Sequence, residues 1–427
     1  MNTKTQSSPQ NVVQENGKTY LIDKVDGKLE VKYGLPPEVK FCKRCVISNQ
    51  RVAPSIMHKD TEDSKKETVG FDAEGVCNGC RAVENKDQID WAEREHKLKQ
   101  LLNEHRSRNG SWDVLIPGSG GKDSVYAAHV LRAKYNMNPL TVTWAPHMYT
   151  DVGWRNFQRW IHNGGVDNIL FTPDGLTHRL LTKLAYTNLL HPFQPFIFGQ
   201  RNYPARVAKE KGIKLMFYGE AAAEYGTKSR EDLEAMMPIR YYTGNPNDEN
   251  MFIGGVHIDQ LTQDYGITRQ KLASYLPITE DDVRESGIDC RYLGYYLKWI
   301  PQECYYYSVE HVGFEPNSER TDGTYTKYNS IDDKLDGFHY WTGFIKFGLG
   351  RCTHEVSQEI RHEHLDREEG VALINKYDGE FPKTFFKDVL EYVGMTEDEF
   401  LETADRFRSP HLWKKTNEGW VIRHKVT

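Results

Sequence analysis

"IPGSGGKDSVYAAHVLRA", residues 116–133, sets three glycines, two serines, a lysine and an aspartate between an apolar run and an amphipathic one. The apolar run begins upstream with "WDVL" and reads as a short buried strand, and the segment after Ser124 has helical spacing, so the order is strand, turn, helix. A turn of this kind points main-chain N–H groups and a helix N-terminus at whatever lies beyond the strand, and both attract anions. Gly118, Gly120 and Gly121 let the main chain approach phosphate oxygens without a Cβ in the way, Ser119 and Ser124 add hydroxyl donors, and Lys122 supplies charge. Asp123 is the odd member. A carboxylate beside a phosphate is repulsive unless a metal lies between them, so Mg2+ is implied if the loop binds a nucleotide. The competing reading is a glycine-rich turn with no ligand.

Outward from this turn, "PLTVTWAP", "NILFTP" and "KLMFYGE" repeat the pattern of "WDVLIP" as three more buried strands, separated by segments long enough for crossover helices. Strand and helix in alternation predict a parallel, doubly wound α/β sheet. Four regions follow: an N-terminal extension over 1–40, with a hairpin around Asp26 and Gly27; a cysteine module with a connecting amphipathic helix over 41–110; the α/β domain over 111–227; and a charged, aromatic, mainly helical region over 228–427 that closes over the sheet. No window approaches the roughly 18 apolar residues of a membrane span, and the N-terminus lacks the apolar core of a secretory signal, so a cytoplasmic protein without membrane contact is expected. A net charge of −6 gives no global attraction to nucleic acid.

Four of the seven cysteines form two pairs, Cys42 with Cys45 in "FCKRCVIS" and Cys77 with Cys80 in "GVCNGCRA". Two Cys-x-x-Cys pairs supply four thiolates that close a tetrahedron around Zn2+, leaving no open position for substrate; the metal is expected to fold the module and take no part in chemistry. Disulfides and a redox motif are the alternatives.

Two familiar phosphate loops fail here. The P-loop pattern breaks at Asp123 and again at Ile116, and G-x-G-x-x-G begun at Gly118 ends on Asp123. "SGGKDS", residues 119–124, resembles instead the Ser-Gly-Gly-x-Asp-Ser loop of the ATP pyrophosphatases, the PP-loop family with its HUP-like sheet. That resemblance implies that the loop grips the pyrophosphate of ATP, that a substrate oxygen attacks the α-phosphorus to give an adenylate, and that a nucleophile then displaces AMP. Further blocks, "FCKRCVIS", "EGVCNGCR", "IDWAERE", "FYGEAAAEYG", "GTYTKYNSIDDK" and "YWTGFIKFGLGRCTHEVSQEIRHEHLDREEGVALINKYDGEFP", resemble the N-acetyl sugar amidotransferases of bacterial surface-polysaccharide and nonulosonic-acid pathways, over roughly residues 41–385. The resemblance implies conversion of an acetamido group of a nucleotide-linked sugar to an acetamidino group, with release of AMP and PPi. It further implies that ammonia comes from a glutaminase subunit through a synthase-like channelling subunit. The chain itself carries no glycine-rich nucleophile elbow around its lone cysteines, so a partner is expected.

Residue roles follow from loop position and from charge. Ser119, Gly120, Gly121, Lys122, Asp123 and Ser124 are the expected ATP and Mg2+ contacts, with Lys122 and Asp123 catalytic. Thr143 and Trp144, at the end of the second strand, are expected near adenine, against plain core packing for Trp144. Glu220 and Glu224 follow the fourth strand, where a carboxylate holds metal or accepts a proton; helix capping is the alternative. Lys346 and Arg351, with Arg361, offer cations to a diphosphate or to the transferring phosphate, against solvated surface charge. Asp332 and Asp333 either orient sugar hydroxyls or start a helix. A tRNA thiolase or lysidine-type modifying enzyme shares the loop and the cysteine pairs, but the acidity of the chain and its C-terminal blocks oppose it. A noncatalytic ATP-binding scaffold is opposed by the Asp123-Ser124 ending of the loop.

Overall fold

The computed structural model describes residues 12–15, 18–21, 24–25, 28–52, 57–59, 64–220, 222–226, 228, 230–247 and 249–427. Its centre is a five-stranded, wholly parallel sheet of β1 (Val114–Pro117), β2 (Pro139–Trp144), β3 (Asp167–Phe171), β4 (Leu215–Tyr218) and β5 (Asp289–Tyr292), in the order β5-β4-β1-β2-β3. The order reverses beside β1, which pairs with β2 through Ile116 and Thr141 and with β4 through Val114 and Leu215. A switch point of this kind opens a crevice at the carboxyl ends of the strands, and the glycine-rich turn emerges there.

Strand alternation divides the core. Val114 and Ile116 of β1, with Leu215 and Phe217 of β4, face a cluster built from α2 (Trp91–His105), α3 (Lys122–Ala133) and α4 (Asp151–His162). Leu115 and Met216 point the other way, onto Ala205, Val207 and Ala208 of α6 (Gln194–Lys211). α5 (Gly175–Leu189) precedes α6 in the same crossover. β1 and β2 are buried throughout, as sequence reading expects, whereas β3 is a sheet edge with half-exposed side chains. The fifth strand departs from the sequence expectation: "DCRY" is short, alternates in burial as an edge does, and lies inside the region read as helical.

α1 (Asn78–Lys86) starts at Cys77, whose side chain caps it. C-terminal to the sheet lie α7 (Pro301–Val312), α8 (Asp336–Phe347) and α9 (Arg351–Arg361), and a hairpin pairs Trp413–Thr416 with Gly419–Ile422. α8 packs Phe338, Trp341 and Ile345 into the cluster that also holds Leu181, Tyr186 and Phe400, so the helical region is continuous with the α/β core. Lys24–Val25 pairs with Lys28–Leu29 as the expected hairpin, its turn at 26–27 lying outside the described residues. From residue 30 onward the extension packs against the C-terminal part of the chain. Tyr33 donates to the Phe407 carbonyl at 2.7 Å, the Lys32 N–H donates to Ser409 Oγ at 2.9 Å, and Leu35 is buried with Leu412 and Trp413. No described helix is long and apolar enough to cross a membrane.

Candidate active site

The turn at 118–121 is forced by its surroundings. A Cβ on Gly118 would stand 2.2 Å from Cβ of Ser124, and one on Gly120, whose φ is +88°, would stand 2.7 Å from the Phe157 main chain. α3 begins at Lys122 behind Gly121, which offers no side-chain cap, so the first N–H groups of the helix face the crevice. Ser124 Oγ donates to the Gly121 carbonyl at 3.0 Å, and Lys122 Nζ lies 2.6 Å from Asp123 Oδ2. Burial alone lowers the Lys122 pKa; the Asp123 carboxylate outweighs it and holds the ammonium above its usual range. Asp123 keeps 41% of its side chain exposed, free to meet a cation that a bound phosphate brings.

A cavity of about 440 Å³ opens over this loop, and all six predicted loop residues line it. Its opposite wall comes from 328–340 and from α9. Asp332 packs its main chain against Gly153 of α4, where a Cβ would come within 2.4 Å, and its carboxyl bonds Ser119; burial still pushes that carboxyl upward. Asp333 is structural: its carboxylate accepts from His147 N and Nδ1, each at 2.7 Å, and fastens the 330s segment to the end of β2. Asp336 is buried and its carboxyl is raised well above the carboxylate range by desolvation, with Arg351 opposing.

Arg351 is the most unusual group of this wall. It is 2% exposed, its Nε donates to Glu355 Oε1 at 2.8 Å, its guanidinium lies 4.6 Å from the Tyr340 ring centre, and Nη1 and Nη2 are buried without a hydrogen-bond partner among the described residues. Glu355 in turn accepts from the hydroxyls of Thr324 and Thr326. A buried fork with two unused nitrogens is costly unless an anion arrives, and the cavity over the phosphate loop is where one would sit. Asp378 accepts from Gly350 N at 3.0 Å and from Thr353 N at 3.1 Å, occupying the N-terminus of α9, so the attraction comes from the side chain rather than the helix end.

Other predicted residues fall elsewhere. Glu220 borders the cavity and hydrogen-bonds Tyr225, whose hydroxyl is raised well above its usual range by burial and by that carboxylate. The backbone of Glu224 lies in a 3-10 turn, and its side chain lies outside what is described. Thr143 and Trp144 do not reach the cavity. Thr143 Oγ1 accepts from Asn168 at 3.0 Å, and the Trp144 ring packs on Gly199 and lies 4.9 Å from Tyr275, because the end of β2 is covered by α6. Lys346 is also displaced: its ammonium donates to the Leu189 carbonyl at 2.8 Å and borders a neighbouring cavity. Arg361 turns from any diphosphate toward the cysteines, 3.5 Å from Cys77 Sγ and 3.7 Å from Cys45 Sγ.

The four cysteine sulfurs lie within 4.8 Å of one another and are buried, with Cys45 and Cys77 at 3.7 Å and Cys42 and Cys80 at 3.9 Å. A tetrahedron with Zn–S bonds of about 2.3 Å has edges of about 3.8 Å, so the donor set fits Zn2+, and the separations exclude the disulfide reading. The N–H groups of Arg44, Cys77 and Cys80 point at cluster sulfurs, which suits thiolates. Hydrogen bonding within the cluster holds the Cys45 thiol well below its usual range and pushes Cys77 and Cys80 above theirs, so the four sulfurs share their protons unequally.

Sequence reading missed Tyr340, His339, His354 and Glu355 as wall residues. A signal existed. Asp332, Asp336 and Tyr340, then Arg351, Glu355 and Gln358, recur at helical spacing, one polar face on each side of Gly350.

Fold and site together define a parallel α/β protein with an uncapped glycine-rich loop at its switch point, a buried arginine fork opposite, and a four-cysteine module. Residues 322–427, which carry α8, α9 and the C-terminal hairpin, match the family described as LPS biosynthesis protein WbpG-like, C-terminal domain. Among solved structures, NMN synthetase from Francisella tularensis aligns over 47% of this chain and 85% of its own at 16% identity, with a TM-score of 0.25, too low to carry an argument. The comparison with curated proteins gave no match.

Proposed function

We propose that this protein is an AMP-forming, ATP-dependent amidotransferase that turns an acetamido group of a nucleotide-linked sugar into an acetamidino group for lipopolysaccharide assembly. The observation that carries the reading is a cavity in which the uncapped "SGGKDS" turn faces the unsatisfied Arg351 fork. The WbpG-like match over 322–427 supports the lipopolysaccharide context, and the sequence resemblance supports the reaction type.

The chemistry balances as amide plus ATP plus ammonia giving amidine, AMP and PPi. The amide oxygen attacks the α-phosphorus and PPi leaves, giving an O-adenylated imidate; ammonia adds to its carbon and AMP departs with that oxygen. Residues 119–124 hold the leaving pyrophosphate, and Arg351 neutralises the α-phosphoryl oxygens as charge builds. Asp123 would hold Mg2+, which neutralises phosphate charge when bound, and Cys42, Cys45, Cys77 and Cys80 would hold structural Zn2+. Glu220, which hydrogen-bonds Tyr225, takes the proton released when ammonia adds. Ammonia reaches this cytoplasmic enzyme from a glutaminase subunit by way of a synthase-like channelling subunit.

The test supplies purified protein with ATP, Mg2+, ammonium and a UDP-diacetamido sugar. AMP, PPi and a sugar product in which NH has replaced one oxygen are expected; ADP with orthophosphate would refute the scheme. Ammonium should sustain turnover where glutamine alone does not.

A further inference from the structure

A second cavity, of about 380 Å³, lies behind the first and shares Glu220, Tyr225, His339, Tyr340 and His354 as a common wall. Its far side is built from three separate parts of the chain: Arg51 and Val52 of the cysteine module, Arg201 of α6, and Lys346 and Phe347 of α8. The volume is that of a small-ligand site.

Its charge is one-sided. Arg51, Lys66, Arg201 and Lys346 border it against the carboxylate of Glu220. The three bordering histidines add no charge of their own, since burial holds His339 near a pKa of about 4 and His191 and His354 well below their usual value, leaving all three neutral. Arg51 donates to the adjacent Val52 carbonyl, and Arg201 lies 5.9 Å from the Tyr241 ring centre; among the described residues neither has a carboxylate partner. Two partly buried guanidinium groups that have no carboxylate partner among the described residues favour an anion in this cavity, and the planar fork of arginine matches phosphate oxygens. Ile47, Leu190, Ile197 and Leu349 supply apolar surface on the same walls, which suits a ligand with a flat organic body rather than a bare ion.

We infer that this second cavity is the acceptor's nucleotide site: Arg51 and Arg201 bind the diphosphate of a nucleoside diphosphate sugar, and the sugar extends past Glu220 and Tyr340 to bring its acetamido oxygen to the ATP cavity. This rests on the amidotransferase reading and adds to it where the acceptor sits and which cations hold it. It also gives the cysteine module a purpose, since folding that module places Arg51.

The test is calorimetric titration of UDP, GDP and dTDP, with uridine as the uncharged control, into the full chain saturated with α,β-methylene-ATP. At least one diphosphate is expected to bind alongside the ATP analogue, uridine far more weakly. Arg51→Gln and Arg201→Gln should each weaken the diphosphate about tenfold, the cost of one charge-assisted contact, with the ATP analogue unaffected. Arg201 lies on a helix outside the module, so its variant answers even if Arg51→Gln does not fold. Failure of every diphosphate to bind, competition with the ATP analogue for one site, or variants that bind like wild type would overturn the inference. Amidine formation with an unchanged acceptor KM in the variants would remove this site while leaving the reaction intact; diphosphate binding that depends on both arginines without amidine would do the reverse.

Discussion

Gly120 and Arg351 do the most at the scale of single residues, for opposite reasons. Gly120 is required by what surrounds it: at φ +88°, with the Phe157 main chain 2.7 Å from any added Cβ, Gly120→Ala strains the turn and displaces α4. A lowered melting temperature together with loss of ATP-analogue binding is expected, and a variant that binds normally would show that the loop does not need this bend. Arg351 is required by what is absent around it. Arg351→Gln removes two donors from the cavity yet leaves Glu355 its threonine partners, so turnover should fall by about a hundredfold or more with the fold intact. Glu355→Ala leaves a buried guanidinium uncompensated and should cost about 3–5 kcal/mol in stability, read by denaturant titration. If the two variants behaved alike in both assays, the division into an anion-binding fork and the carboxylate that orients it would be wrong. The loop glycines and Asp123 are legible because "SGGKDS" is a local pattern, and Asp332 stands out as a carboxylate; that Tyr340 and Glu355 join it in one wall over the loop is not legible, because the wall is assembled from segments far beyond the loop in sequence.

Among elements, the cysteine module shows how far spacing carries an inference. Two Cys-x-x-Cys pairs are enough to name the four donors, and the sulfur separations agree with that assignment. Spacing says nothing of Arg361, which reaches the cluster from α9 and places a positive charge beside sulfurs that carry net negative charge once a metal is bound. One zinc per chain by elemental analysis is expected. Cys77→Ser, which removes a metal ligand while keeping a side-chain oxygen to cap α1, should release the metal and lower the melting temperature. Full retention of zinc in that variant would contradict the assignment. β5 marks the complementary limit: four residues at a sheet edge carry too little pattern to be found, and only their parallel pairing with β4 reveals them. Thr143 and Trp144 stand at the end of β2 as expected but do not line the cavity, since sequence does not say that α6, through Gly199, closes over that position.

For the molecule as a whole, the four regions the sequence separates pack on one another. The chain before the cysteines packs on the C-terminal hairpin, the hairpin on α8, α8 on the α/β core, and α9 reaches the cysteine cluster. Packing of this kind buries histidines far from one another in sequence. His339 and His411 are each held near a pKa of about 4 and His178, His191 and His354 well below their usual value, in every case by burial first. Each binds its proton more readily when unfolded, near pH 6.5, than when folded, so their neutral-state contribution is complete above about pH 6.5 and declines as pH falls toward 4. The melting temperature should therefore drop over that interval, with a shallower drop in His411→Gln; a flat profile would mean that these rings are not buried as described. An acceptor labelled with heavy oxygen in its acetamido group follows the amide oxygen directly. With ATP, Mg2+ and ammonium, the label is expected in the phosphate of AMP and nowhere in PPi; label retained in the sugar product, or released into water or orthophosphate, would contradict adenylation of the acetamido oxygen.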